Sequence, residues 1–213
     1  MNVYSSKGRV RRQVAQKASK EDLDILVNDK DWYVRKHVAR HGHKEHLDIL
    51  VRDTDWSVRE QVAIQGNKDH LDLLVNDRHE EVRKEVALHG HKEHLDILVN
   101  DRESYVRVAV ARQGLPEHLN MYLDDISISV RKEVALHAKK EHLDILVNDA
   151  DWEVRFYVAR RGYKEHLDIL VNDKEWVVRE QVAKQGKQRH LRILIKDTDS
   201  TVRHEALKQS GLV

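Results

Sequence analysis

The apolar residues of this chain sit at fixed phases of a 24-residue period. Val-Arg recurs at Val10, Val34, Val58, Val82, Val106, Val130, Val154, Val178 and Val202 without an insertion or deletion. Numbered 1 to 24 from that Val, position 5 is Val until Ala206 and position 6 is Ala until Leu207. Residues at i, i+4 and i+5 share one stripe of a helix. Gly follows at position 9 in six units (Gly42, Gly66, Gly90, Gly114, Gly162, Gly186), where a left-handed residue ends a helix. Ala18 and Ala138 replace it in the first and sixth units. Leu at 14, Leu or Tyr122 at 17 and an aliphatic at 18 repeat the i, i+3, i+4 pattern. Each unit is therefore a pair of short helices, too short to be stable alone and open to 3-10 geometry.

A fixed period of this length marks stacked supersecondary units that bury their apolar faces only against neighbours. The expected architecture is an all-α, right-handed α-solenoid of about eight two-helix repeats in a single domain, 1–213. Residues 1–9 form a lead-in, 10–201 the eight full repeats and 202–213 a partial ninth. The first twenty residues carry no acid and several bases, as transit segments do. Val10, Arg11, Val14 and Ala15 are nonetheless in repeat phase, which assigns that stretch to the first unit.

Two polar ladders run at constant phase. Position 2 is Arg in all nine units and position 20 is Asp in all eight, from Asp29 to Asp197. Each Asp precedes the next unit's Arg by six residues, so the expected pair joins one unit to the next across the turn. Because every Arg has an Asp at fixed phase, a row of phosphate-binding arginines is the weaker reading.

The Asp-x-x-x-x-Val-Arg-x-x-Val-Ala core, as in Asp29 to Ala39 and Asp149 to Ala159, resembles the junction and second helix of HEAT-type repeats. The unit length and the Leu-x-x-Leu before the Asp resemble the leucine-rich repeat variant family. That resemblance implies a right-handed superhelix of alternating α and 3-10 helices with the Val-Arg helix on the concave side. It departs from the family in having one proline, Pro116, and no cysteine cluster. HEAT-type relatives mostly bind proteins, and one branch, the alkylpurine DNA glycosylases, holds DNA in the groove.

On that reading positions 3, 4, 7 and 8 face a ligand. They hold eleven bases against five acids, about +6 in a chain whose net charge is +1. Lys36, Arg40, Lys84, Arg112, Lys132 and Lys184 form the candidate basic groove. The seventh unit breaks the polar pattern with Phe156 and Tyr157 beside Arg160 and Arg161, flanked by Trp152 and Tyr163. Such residues dominate binding hot spots, which makes these six the candidate partner anchors. Trp152 shares its phase with Trp32, Trp56 and Trp176, which also suits packing between repeats. The fifth unit is the least regular, with Pro116, Met121, Tyr122, Ile126 and Ile128.

Chemistry has few candidates. Absence of cysteine excludes disulfides and thiolate metal sites. Seven of fifteen histidines fall at position 13, one per layer and too far apart to share a metal, and they read as surface residues at a helix start. His41, His43 and His46 could gather around one turn, yet no fixed acid or thiolate completes a zinc set. Glu85 and Glu133 are the nearest groove carboxylates for a glycosylase, and neither has a Trp in its own unit. The expectation is a noncatalytic protein-binding module, an adaptor, scaffold or inhibitor, with no catalytic, cofactor or metal residues. Its partner is another protein of acidic character, and a homo-oligomer is not indicated. Sequence-independent DNA or RNA binding is the alternative. No run of about 18 apolar residues exists to cross a membrane, no small-molecule substrate is indicated, and a cytoplasmic location is expected.

Overall fold

The computed structural model describes residues 3–212. All regular structure among them is α-helical, and the described residues contain no 3-10 segment, so the short second helices are α-helices of six or seven residues. The first helices of the repeats alternate with the second: α1 (Gly8–Ala15), α2 (Lys20–Leu26), α3 (Trp32–Arg40), α4 (Lys44–Leu50), α5 (Trp56–Ile64), α6 (Lys68–Leu74), α7 (Glu80–Leu88) and α8 (Lys92–Leu98). The series continues with α9 (Ser104–Arg112), α10 (Pro116–Met121), α11 (Ile128–His137), α12 (Lys140–Leu146), α13 (Trp152–Arg161), α14 (Lys164–Leu170), α15 (Trp176–Lys184), α16 (Gln188–Leu194) and α17 (Ser200–Gln209). The chain forms two compact units, one ending at Val110 and the other beginning at Ala111.

Each unit is built alike. In the first, α1, α3, α5 and α7 pack in succession, as do α11, α13, α15 and α17 in the second, while α2, α4, α6, α12, α14 and α16 each pack against the first helices that flank them in sequence. Position 6 explains the close row. Ala39, Ala63, Ala87, Ala135, Ala159 and Ala183 are fully buried, and a methyl group lets neighbouring first helices approach. The Val at positions 1 and 5 and the Leu at 14 and 17 complete a dry core, each side chain contributing about 1.5–3 kcal/mol by leaving water. Helix starts are fixed by Asp31, Asp55, Asp151 and Asp199, whose carboxylates accept a backbone N–H of the first turn. All six position-9 glycines adopt positive φ, from 67° to 76°, whereas Ala138 leaves its helix in an extended conformation at φ −69°.

The Arg and Asp ladders pair differently from the expectation. The Arg meets the Asp that follows it by 18 residues, inside its own repeat, in seven bidentate pairs: Arg11 to Asp29, Arg35 to Asp53, Arg59 to Asp77, Arg83 to Asp101, Arg131 to Asp149, Arg155 to Asp173 and Arg179 to Asp197. The Asp six residues upstream contributes only its backbone carbonyl, to which the Arg Nη1 donates at 2.7–2.8 Å. The reason is direction. The upstream carboxylate turns back to its own chain, where Asp53 Oδ1 accepts the N–H of Asp55 at 2.8 Å, and faces the earlier Arg. One guanidinium thus ties the turn before a first helix to the turn after the following second helix. The lead-in joins the scheme, because Ser5 offers its carbonyl to Arg11 at 2.7 Å.

Candidate functional site

The position-13 histidines are not surface residues. His46, His70, His94, His142, His166 and His190 are at most 6% exposed. In five of these layers Nε2 donates to the position-15 Asp of the preceding repeat: His46 to Asp24, His70 to Asp48, His94 to Asp72, His166 to Asp144 and His190 to Asp168, at 2.6–2.7 Å. Their Nδ1 atoms are buried with no hydrogen-bond partner, so the ladder consists of strut residues joining second helices. Hydrogen bonds from His70 and then Lys44 hold Asp48 below the usual carboxylate range, and those from Lys164 and His190 push Asp168 down to about 2. The rings of His41, His43 and His46 do gather, at 6.5 and 5.5 Å between successive centroids. His41 and His46 already use Nε2 on the Ala15 carbonyl and Asp24, and no group of three His or acid ligands forms among the described residues.

The proposed basic groove lies on the first-helix face, and most of its charge is engaged. Lys36 pairs with Glu60 at 3.0 Å, Arg112 with Glu133 at 3.0 Å, Lys132 with Glu153 at 2.6 Å, Lys184 with Glu180 at 2.8 Å, and Lys84 with Glu81. Two of these acids, Glu81 and Glu153, stand at position 24, outside the positions whose charge the sequence suggests summing. Side chains just before a first helix lean onto the same surface, which lowers its net charge. Arg40 alone of the six forms no ion pair among the described residues. The glycosylase candidates are equally occupied: Glu133 is 9% exposed between Arg112 and His137, and Glu85 lies 3.4 Å from Lys84.

The aromatic candidates divide. Phe156 and Tyr157, half-buried on α13, form an edge-to-face pair 5.5 Å apart, and the Lys132 ammonium lies 5.8 Å from the Tyr157 ring centre. Arg160 is exposed and forms no ion pair among the described residues. Arg161 has a structural task, donating to the carbonyls of Leu136 at 2.7 Å and Ala135 at 3.1 Å. His41 and His89 do the same at position 8 on the Ala15 and Ala63 carbonyls, so this phase caps the preceding first helix. Tyr163 opens α14 and packs edge-on to His166 at 5.6 Å. Trp152 is 39% exposed, a degree of exposure similar to that of Trp32, Trp56 and Trp176 at the same phase, and Trp56 stacks on His79 of the next layer at 4.1 Å.

A second surface escapes the phase argument. Position 16 is apolar in all eight units and stays 43–58% exposed: Ile25, Ile49, Leu73, Ile97, Met121, Ile145, Ile169 and Ile193. Four of these side chains line shallow clefts of about 300–480 Å³ beside the Arg–Asp pairs. Its signal in the sequence is the constancy itself, since a solvent-facing position conserved in hydrophobicity across repeats is unusual. Position 16 lies off the 14, 17, 18 stripe and so is invisible to a search for core periodicity.

No protein-family profile matches the chain, and no curated protein is similar to it in sequence. Among solved structures it is similar to a leucine-rich repeat variant with a repetitive structural motif, at 29% identity and a TM-score of 0.82. That match covers 98% of this chain and 88% of the other. The Escherichia coli protein YibA is similar in fold, at 18% identity and a TM-score of 0.56, with both chains covered completely.

Proposed function

From the premise that this chain is an α-solenoid with the fold of the leucine-rich repeat variant, we propose that it is a noncatalytic protein-binding module. Similar layers offer repeated surface, and the two groove carboxylates considered for catalysis, Glu133 and Glu85, are held by Arg112 and Lys84. The observation that carries the reading is the cluster of Phe156, Tyr157 and Arg160. Two aromatic rings at phases that elsewhere are polar except for Val108 and Ala109 of the fifth unit stand partly exposed beside an arginine with no ion pair among the described residues. An anchor of this kind takes an acidic partner whose apolar side chains cover the rings, while Arg160 meets its carboxylates. Arg161 and Tyr163 are engaged with the Leu136 carbonyl and the His166 ring and play no direct part in the anchor, and a cytoplasmic setting suits the absence of cysteine.

Sequence-independent nucleic-acid binding is the second reading, and the paired groove weighs against it. A phosphate backbone would have to displace the acids from Lys36, Lys84, Arg112, Lys132 and Lys184 before counterion release could contribute. A nuclease-treated pull-down comparing the native chain with Phe156→Ala, Tyr157→Ala separates the two. A stoichiometric protein retained by the native chain and lost with the variant is expected. Nuclease-sensitive retention that ignores the aromatic changes overturns the protein-anchor reading.

A further inference from the structure

The first-helix face of the first unit carries one cleft unlike its equivalents. Gln16 and Lys17 at the end of α1 and Tyr33, His37, Arg40 and His41 of α3 and its C-cap line a space of about 630 Å³. No carboxylate lines it. Lys17 and Arg40 are exposed and form no ion pair among the described residues, so two permanent positive charges face the same opening. Asp31, the N-cap of α3, is already spent, since it accepts from Arg12 at 2.7 Å and caps the Tyr33 N–H at 3.0 Å. Arg12 itself lies against the Tyr33 ring, 5.0 Å from its centre.

The same phases elsewhere differ: between α13 and α15 they hold Arg160, Arg161, Val177, Gln181, Lys184 and Gln185, where Lys184 is bound to Glu180 at 2.8 Å and neither the tyrosine nor the histidines recur. Between α11 and α13 they hold Leu136, His137, Glu153, Tyr157, Arg160 and Arg161, where Glu153 takes Lys132 and Arg161 is bound to carbonyls. Between α3 and α5 Gln61 and Ile64 stand where His37 and Arg40 do. The cleft is therefore a departure from the repeat and not a by-product of it.

We propose that this cleft is a binding site for a phosphoryl group, held by Lys17 and Arg40 with Tyr33 and His37 as further donors. A planar guanidinium from α3 and a mobile ammonium from the end of α1, lining one cleft, suit a tetrahedral dianion better than a single carboxylate, because both charges are then matched. His37 supplies a reporter. Burial, and then the charges of Arg40, His41 and Lys36, push its pKa below the ordinary histidine value. Other charges around that ring are Lys17 and the Arg12–Asp31 pair from the α1 side and Glu60 on α5, which is bound to Lys36 at 3.0 Å. A dianion in the cleft reverses the local repulsion and raises the pKa of His37. The site lies in the first unit, away in sequence from Phe156 and Tyr157, and does not depend on the protein-anchor reading.

The test is a titration of the intact chain with inorganic phosphate, following the histidine side chains by NMR. Saturable shifts at His37 and His41 are expected, weakened about tenfold or more by Arg40→Ala and abolished by Lys17→Ala, Arg40→Ala. Both residues are exposed, and helicity by circular dichroism confirms that the variant folds. Saturating sulfate, whose charge is constant over the histidine range, raises the His37 midpoint in the native chain and leaves it unmoved in the double variant. A phosphoserine peptide that competes with phosphate, where its serine form does not, assigns the group to a protein side chain. Phosphate binding without such competition assigns it to a free phosphate ester. A linear, unsaturable drift, or equal response in the double variant, overturns the site.

Discussion

Single residues in this chain owe their ionisation to the layer they bridge. Asp77 and Asp101 are pushed up by burial, yet the hydrogen bonds from Arg59 and Arg83 and from the next turn's backbone outweigh that cost, and both end below the ordinary carboxylate value. Asp48 and Asp72 are lowered by His70 and His94, followed by their lysines. A carboxylate with a depressed folded-state pKa contributes stability that is complete above its unfolded value, about 3.9, and lost as pH falls through the folded value. Acid unfolding should therefore be confined to the window between about pH 4 and about 2, the value reached by Asp168. Thermal melts across this range check it. A midpoint that falls steeply above pH 5 would mean the ladders do not set acid stability.

Helix ends, not helix interiors, distinguish one element from the next. The position-9 glycines all sit at φ near +70°, where an added Cβ costs about 1–2 kcal/mol. Their surroundings differ. A Cβ on Gly114 meets nothing nearer than His137 Cβ at 3.9 Å, while one on Gly66 lies 2.7 Å from His89 Cε1. His89 is the residue that donates to the Ala63 carbonyl at 2.7 Å. Gly114→Ala is thus expected to lower stability by about 1–2 kcal/mol, and Gly66→Ala by more, because the helix cap must move as well. Urea unfolding of the two variants decides this, and equal losses would show that His89 does not hold the α5 terminus.

At the scale of the whole chain, the period predicts what may be removed. Deleting residues 58–81, one full 24-residue period in the first unit, joins Ser57 to Val82 and keeps every phase. Arg83 then finds the Asp53 carbonyl where it had that of Asp77, and only the Arg59–Asp77 pair disappears with its repeat. The shortened chain should fold with unchanged helicity per residue and a lower melting midpoint, since stability in such arrays is a sum over layers and their interfaces. Deleting residues 58–69 instead brings a second helix to a first-helix phase and should abolish cooperative melting. Circular dichroism of the two variants gives the comparison.

Much of this was legible without coordinates. Constant spacing of Val, Ala and Leu dictated two helices per repeat, because only one registration buries all of them, and the glycine phase marked the αL stops because backbone sterics there are local. The Phe156 and Tyr157 departure was also visible as aromatic residues at phases that are mostly charged or amide. What the tertiary structure alone decided are the partnerships. An Arg flanked by acids at −6 and +18 has two candidates in the sequence, and helix direction chooses Asp53 for Arg35. Position 13 looked solvent-facing because histidine is polar, yet stacking buried it against Asp from the previous layer. Groove charge looked free because acids at position 24 were not expected to lean across, and the exposed aliphatic row at position 16 had no core periodicity to announce it. Periodicity in one dimension fixes which residues are equivalent, while side-chain reach in three dimensions fixes what each of them touches.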